Sequence, residues 1–254
     1  MEDARRFLRY VIPGLVLILE VSLYLLLSSK REFIQFLKNY GQNAGLPIST
    51  FIASGGIGFI LANIYHYIYW SRLFRWLVPD HRQLIRNAVK RGWLKLEDRR
   101  SGEEMAEVAI KRLTQKHAWL ISSSLWYTKL GSSERIKGAE PVVDRLVDIM
   151  HSLGSLCVGA VIAIGVWLFA HFELSRALPD SWDLLRTAPV IFIIMAAHFH
   201  HYKRVAKDFQ IISDTIASEE LEKEFLSRNM IPTALSISQT DLREVKGKRK
   251  KRRL

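Results

Sequence analysis

The sequence has 254 residues, of which 49% are hydrophobic and 24% are charged, and its formal net charge is +12. The hydrophobic residues occur in blocks and the charged residues fill the intervals, a distribution that argues against an ordinary soluble domain and is typical of multi-pass membrane proteins. The single cysteine, Cys157, excludes an internal disulfide framework and any multi-cysteine metal site.

Four apolar blocks predict transmembrane helices. An apolar helix needs about 20 residues to cross the hydrocarbon layer, and the first three blocks have roughly that length. The fourth block has a short apolar centre at 188–199 and reaches a sufficient length only with its flanking residues. The predicted spans cover residues about 10–27, 51–70, 149–172 and 182–202.

The placement of lysine and arginine predicts the orientation of these spans. Basic residues favour the cytoplasmic side of short loops and span ends. Sixteen of them lie in 71–148 and 13 follow residue 202, whereas the other two connections hold only three and two. We therefore predict an integral protein of the plasma or inner membrane with both termini in the cytoplasm. The first block lacks a small–x–small cleavage pattern, so we expect an uncleaved anchor.

Residues 71–148 predict a helical cytosolic domain. Asp80 can cap a helix that ends at Gly92, and Ser101–Glu104 has the form of a capping box before a second helix. Pro141 suits the first turn of a third helix, which continues into span three. No strand alternation stands out. The predicted fold is an all-α integral membrane protein of four transmembrane helices, with a helical cytosolic domain inserted between spans two and three.

The region after span four predicts an amphipathic cytosolic helix and then a disordered polybasic tail. Seven of the last nine residues are basic. Such charges attract anionic lipid by up to about 1 kcal/mol per residue near the surface, and nucleic acid by the same electrostatics. The tail has no base-stacking aromatic residues, so we favour lipid. The predicted segments are a transmembrane hairpin (1–70), the cytosolic domain (71–148), a second hairpin (149–202), the amphipathic helix (203–228) and the tail (229–254).

Small residues recur every four positions in spans two and three. This spacing places them on one face of each helix, where small side chains let two backbones approach closely. Self-association into a homo-oligomer and packing among the four helices of one chain are both open. The two stripes are Ser54, Gly58 and Ala62 in span two, and Ser155, Gly159 and Ala163 in span three.

Glu20 lies near the middle of the first span. A lone carboxylate there is costly and is usually paired, protonated or exposed to water. Asn63 in span two is the polar partner that we predict for it. An ion or proton pathway and a hydrogen-bonded packing contact are both open interpretations.

Five of the eight histidines are predicted to collect at the cytoplasmic membrane face: His66, His151, His198, His200 and His201. Clustered imidazoles can bind a divalent metal or titrate near neutral pH. However, no His-x-x-x-His ligand spacing occurs, and amphipathic rings are typical of an interfacial aromatic belt. We therefore predict no metal and no cofactor, and we assign His66, His198, His200 and His201 to the interface.

The segment from Arg145 to His151 has an arginine six residues before a histidine. It resembles the signature of HEPN ribonucleases, helical proteins in which such residues act at a dimer interface. The resemblance implies that Arg145 would stabilise the phosphate and that His151 would serve the proton transfers. Six helical steps place the two side chains about 120° apart, so a shared site would need a symmetry partner.

These features predict an oligomeric membrane effector or pore whose cytosolic domain senses a signal or binds a protein or nucleic-acid partner. The enzyme alternative is a membrane-tethered HEPN-like ribonuclease that uses Arg145 and His151, and the second alternative is a non-catalytic membrane scaffold. The sequence contains no Walker A loop, dinucleotide fingerprint, nucleophile elbow or zinc-protease motif, which disfavours other enzyme classes.

Overall fold

The computed structural model describes residues 7–40, 46–71, 79–98, 114–130, 133–176, 179–227 and 233–237. Most of these residues are helical. The α-helices are α1 (Ile12–Ser28), α2 (Lys30–Tyr40), α3 (Leu46–Trp70), α4 (Arg82–Lys90), α5 (Gln115–Ser124), α6 (Glu134–Ser175) and α7 (Ser181–Ser227). A π-helical turn at Phe7–Val11 precedes α1, and another at Leu125–Lys129 follows α5. Two strands, β1 (Leu94–Asp98) and β2 (Thr233–Ile237), pair with each other.

Four helices are long and apolar enough to cross a membrane, as predicted: α1 with the turn before it, α3, α6 and α7. The last two are longer than a crossing requires. With 42 and 47 residues, they extend about 63 and 70 Å at 1.5 Å per residue, against about 30 Å for the hydrocarbon layer. Only a part of α6 and of α7 can therefore cross.

The chain divides into two compact units. The bundle unit comprises the described residues of 1–78 and 144–208, and the insert unit comprises those of 79–143 and 209–254. Both α6 and α7 begin in one unit and end in the other. The predicted amphipathic helix after span four is therefore the continuation of α7.

Close backbone contact between α1 and α3 organises one side of the bundle unit. A Cβ atom at Gly14 would overlap the backbone carbonyl of Ser54, and one at Gly58 would overlap that of Tyr10. Glycine is required at both positions because the helices approach too closely for a side chain. Pro13, in the first turn of α1, is buried at the same contact.

The apolar centre of the bundle unit lies between α1, α6 and α7. Tyr24 and Leu25 of α1 pack with Ala163 and Trp167 of α6. Phe33 of α2 joins the same cluster, and three partly buried residues of α7 pack against it: Val190, Ile191 and Ile194. The helix α2 at residues 30–40 was not predicted from the sequence.

The insert unit has a separate apolar core. Asp80 Oδ1 accepts a hydrogen bond from the Arg82 backbone N–H (3.2 Å) at the start of α4, and Gly92 ends that helix region with a φ of 74°. The positive φ explains the glycine. The fully buried members of the core include Ile85, Leu94 and Leu125. Ala217 and Leu221 of α7 belong to this core, and four partly buried residues of the same helix pack against it: Phe209, Ile212, Ile216 and Phe225.

The structure is almost entirely helical, as predicted, and the insert unit adds one sheet that we did not predict. β1 and β2 form a two-stranded parallel sheet, with Leu94 opposite Thr233 and Asp98 opposite Ile237. β2 lies inside 229–254, which we predicted to be disordered; the rest of that tail lies outside the described residues. The pairing satisfies backbone groups that an isolated strand would leave open.

The helix that we predicted to begin at Pro141 begins earlier. α6 starts at Glu134 and contains Pro141 as its eighth residue. Proline removes one backbone donor, which leaves the Lys137 carbonyl without its intrahelical partner. Pro141 is exposed, so water can satisfy that carbonyl. The capping box at Ser101–Glu104 lies outside the described residues.

Candidate functional site

A buried acid–histidine pair lies inside the bundle unit. Glu20 Oε1 of α1 is 2.7 Å from His198 Nε2 of α7. Glu20 is only 5% exposed, and its second oxygen, Oε2, is buried without a hydrogen-bond partner among the described residues. Removing a carboxylate from water is costly unless it is paired or protonated. The hydrogen bond between Glu20 and His198 offsets part of that cost.

This arrangement changes the expected partner of Glu20. Asn63 of α3, which we predicted for that role, donates its side-chain N–H to the Phe59 carbonyl (2.8 Å) of its own helix. His198, which we assigned to the interface, takes the role instead. The inward position of His198 could have been inferred from the sequence. Helical spacing places Thr187, Ile194, His198 and Tyr202 on one face of α7, and the other three residues of that face point into the bundle.

A polar cavity of about 240 Å³ lies between the turn before α1, α3 and α6. It contains His66 and His151, whose ring centroids are 5.8 Å apart. Arg9 also lines the cavity and forms an ion pair with Asp148, whose side chain is buried. The lining residues are Arg9, Tyr10, Phe59, Ala62, Asn63, Tyr65, His66, His151 and Ser155.

Buried tyrosines separate this polar cavity from the Glu20–His198 pair along the bundle. Tyr65, Tyr69 and Tyr202 are each at most 5% exposed, and the hydroxyls of Tyr65 and Tyr202 are 3.3 Å apart. The Tyr65 ring packs edge-on against His151, with centroids 5.6 Å apart, and a Cβ atom at Gly154 would overlap it. These three tyrosines form part of the buried core.

The five histidines are thus distributed over three places. His66 and His151 line the polar cavity, His198 contacts Glu20, and His200 and His201 are exposed with ring centroids 5.8 Å apart. Within the part of the chain that the structure describes, no three histidine, cysteine or acidic side chains form a group that could hold a metal ion.

Arg145 does not line the polar cavity with His151, although both residues belong to α6 and to the bundle unit. Its side chain is exposed, and the arginine that shares the cavity with His151 is Arg9. The two residues of the HEPN-like signature are therefore not brought together in one cavity of a single chain, and the ribonuclease alternative stays a prediction.

The two stripes of small residues face other helices of the same chain. In α3, Ser54 and Gly58 contact the backbone of the α1 region, as described above, and Ala62 lines the polar cavity. In α6, Ser155 lines the same cavity, Gly159 lies against Leu61 and Leu17, and Ala163 is buried beside Tyr24. Four of the six positions therefore contact other helices of the same chain, and Ala62 and Ser155 line the cavity.

No protein family, curated protein or solved structure matches this chain.

Proposed function

We propose that this chain is a multi-pass membrane effector in which the bundle unit carries a polar path through the membrane. In the proposal, the insert unit lies in the cytoplasm and binds a signal or partner, and the basic tail contacts anionic lipid. The Glu20–His198 pair carries the proposal, because it places two titratable groups inside the predicted spans of α1 and α7.

The physical argument concerns the cost of that pair. A carboxylate near the centre of a membrane helix costs about 3 kcal/mol on insertion scales, and such residues normally mark ion or proton pathways. A packing contact could be made by two apolar side chains without that cost. Both members of the pair belong to one chain, so the path does not require an oligomer.

An exposed apolar surface supports the sensing role of the insert unit. Trp119, Leu120 and Tyr127 are between 39% and 60% exposed. Positions 119, 120 and 127 recur at helical spacing, so they lie on one side of α5 and the turn that follows it. Apolar side chains grouped on a water-exposed unit are typical of a partner-binding surface.

Flux measurements on Glu20 variants in proteoliposomes test the polar path. Glu20→Gln keeps the size of the side chain and can still bond with His198, but it cannot carry a charge or release a proton. We expect this variant to assemble normally, with an unchanged elution volume in detergent, and to lose the ion flux of the wild-type protein. Glu20→Leu should lose the flux and also lower stability, because it removes the hydrogen-bond partner of His198.

The matched control is Glu173→Gln, which neutralises an exposed carboxylate of α6. We expect it to leave both flux and assembly unchanged. Equal flux through the wild-type, Gln and Leu proteins would remove Glu20 from any pathway and would leave the scaffold alternative.

A further inference from the structure

A second acid–histidine pair lies at the end of the bundle unit where α6 is connected to α7. His171 Nε2 is 3.3 Å from Asp183 Oδ2, and His171 is 4% exposed. Twenty residues of α6 separate His171 from His151 of the polar cavity. That is about 30 Å along the helix, the thickness of a hydrocarbon layer. Titratable groups therefore occur at both ends of the apolar region, with the Glu20–His198 pair between them.

The interior between the two pairs contains buried hydroxyl groups without hydrogen-bond partners. Tyr24 and Thr187 are fully buried, and neither hydroxyl bonds with another side chain or backbone group of the described residues. Tyr24 follows Glu20 by one helical turn, and Thr187 follows Asp183 by one turn. A buried unsatisfied hydroxyl costs about 1–3 kcal/mol. Such groups are retained where a water molecule supplies the missing hydrogen bond.

Ring contacts connect the same groups across helices. The Tyr24 ring lies 6.3 Å from that of Trp167, which in turn lies 6.5 Å from His171. Trp167 Nε1 donates a hydrogen bond to Ser28 Oγ (2.9 Å). The rings of Tyr24, Trp167 and His171 thus form a continuous row, and Tyr24 lies one helical turn from Glu20 on α1.

On the other side of the Glu20–His198 pair, polar groups continue to the polar cavity. Tyr202 follows His198 by one turn, and its hydroxyl meets that of Tyr65. Tyr65 contacts His151, which faces the cavity. Each of these four side chains carries a group that can both accept and donate a hydrogen bond.

We infer that the path conducts protons, along a relay from the His171–Asp183 pair through Tyr24 to the Glu20–His198 pair and on to the polar cavity. This inference rests on the proposed function, whose conducted species it names. A proton taken up at His171 or Asp183 passes through the buried hydroxyls, and through water that completes their hydrogen bonds, to the Glu20 carboxylate. The new O–H bond of Glu20 then breaks as His198 gains the proton on Nε2, and the ring releases a proton from its other nitrogen towards Tyr202. One proton enters and one leaves, and no group is oxidised.

The close packing of the bundle favours a proton over a hydrated ion. The backbone of α3 contacts α1 and the turn before it at Gly14 and Gly58, and Tyr24 of the relay is enclosed by aromatic and aliphatic side chains. A proton needs only a series of hydrogen bonds, whereas an alkali cation needs a ring of oxygen ligands around it.

The test uses the full chain in liposomes that contain a pH-sensitive dye, with a potassium diffusion potential set by valinomycin as the driving force. We expect the wild-type protein to carry proton flux. We expect Tyr24→Phe, which deletes only a hydroxyl, and His171→Gln each to lower it by about tenfold, or about 1.4 kcal/mol at the transfer barrier. Tyr67→Phe, at a tyrosine that is 81% exposed, is the matched control and should leave the flux unchanged.

The outcomes separate this inference from the proposed function. If Glu20→Gln lowers potassium or chloride flux while Tyr24→Phe and His171→Gln leave all fluxes unchanged, the relay is wrong and the polar path stands. If wild-type protein carries potassium as fast as protons, the relay is likewise wrong. If no flux of any ion depends on Glu20, both ideas are overturned. Unchanged elution volumes for the Phe and Gln variants show that a lost flux is not a folding defect.

Discussion

Burial sets the ionisation of two side chains in the insert unit, His81 and Asp214. Burial lowers the pKa of His81 from 6.5 to about 4, against the opposing effect of the Asp80 carboxylate. Burial raises the pKa of Asp214 from 3.8 to about 7, and nearby Asp80 raises it further, while a hydrogen bond with Gln210 acts in the opposite direction. In both residues the neutral form is favoured because water is excluded.

The two shifts act on stability with opposite signs. Between pH 3.8 and about 7 the folded state keeps the Asp214 proton that the unfolded chain loses, so this contribution to stability decreases as pH rises. Between pH 6.5 and about 4 the unfolded chain protonates His81 and the folded state does not, so that contribution decreases as pH falls. Asp214 therefore lowers the stability of the folded state as pH rises towards 7, and His81 lowers it as pH falls towards 4.

The variant Asp214→Asn isolates the first effect. The amide keeps the shape and hydrogen-bonding capacity of the side chain but cannot ionise. We expect the insert unit to gain roughly 1–3 kcal/mol of stability at pH 8 and about a third of that gain at pH 5, because the gain grows as pH rises from 3.8 to about 7. Amide hydrogen exchange of peptides from α4 and α5 measures this local stability.

The control for this measurement is Glu222→Gln, which neutralises an exposed carboxylate on the same helix. It should show the same protection as wild type at both pH values. A gain for Asp214→Asn that is equal at pH 5 and pH 8 would contradict the assignment, because it would not depend on ionisation.

The contacts of buried polar side chains could be predicted from the sequence only in part. The unusual position of Glu20 was visible in the sequence, because a carboxylate stands out in an apolar block. Its partner was not, because Asn63 and His198 are both polar residues of other spans and only helix rotation and depth distinguish them. The same limit applies to Arg9, whose pairing with Asp148 and position beside His151 depend on how α1 and α6 pack.

At the scale of elements, the contact between α1 and α3 gives the small residues of α3 their role. Gly58 is buried against the Tyr10 carbonyl, and Gly14 against that of Ser54. Gly56, in the same helix as Gly58, is exposed, and a Cβ atom there would meet no neighbouring atom within 4 Å. Gly56 and Gly58 thus differ in whether α1 lies against them.

Alanine substitutions at these two glycines of α3 form a matched pair. Gly58→Ala should destabilise the protein by roughly 1–3 kcal/mol, because a methyl group there forces α1 away. Gly56→Ala should be neutral or stabilising by up to about 1 kcal/mol, since alanine favours the helix. The thermal unfolding midpoint of the purified protein in detergent measures both.

These two alanine variants also distinguish packing within one chain from self-association. If Gly58→Ala changes the oligomeric state in light scattering while leaving the unfolding midpoint unaltered, the stripe of α3 serves contact between copies instead. Equal midpoints for the two alanine variants would show that the α1–α3 contact is not limiting for stability.

The predicted and observed elements differ where local patterns are weakest. The four long apolar helices could be predicted because each contains many residues of one kind. The sheet could not, because each strand has five residues and its partner is 139 positions away in sequence. Pro141 misled the prediction in another way: a proline at an exposed position inside a helix loses one hydrogen bond that water replaces.

At the scale of the whole molecule, charge and helix length together define the expected topology. The basic residues concentrate in 71–148 and after residue 202, the two regions that contribute most of the insert unit. An even number of crossings places both regions on one side of the membrane, whereas three crossings would place the tail on the opposite side. Because α6 and α7 exceed the hydrocarbon thickness, each has length enough to cross and still contribute to the insert unit.

Reporter fusions in cells test this topology. We expect cytoplasmic signals from reporters after Arg9, within 103–116 and after Leu254, and external signals from reporters near Asn43 and Asp180. The physical reason is that the connections at Asn43 and Asp180 hold few lysine and arginine residues, which resist translocation when they are numerous. Each position is fused to two reporters in turn, an enzyme that is active only outside the cytoplasm and a fluorescent protein that matures only inside it. The two signals then check each other. A cytoplasmic signal at Asp180 would contradict the four-span arrangement, because α6 and α7 would then not form a transmembrane hairpin and the His171–Asp183 pair would not lie at an external face.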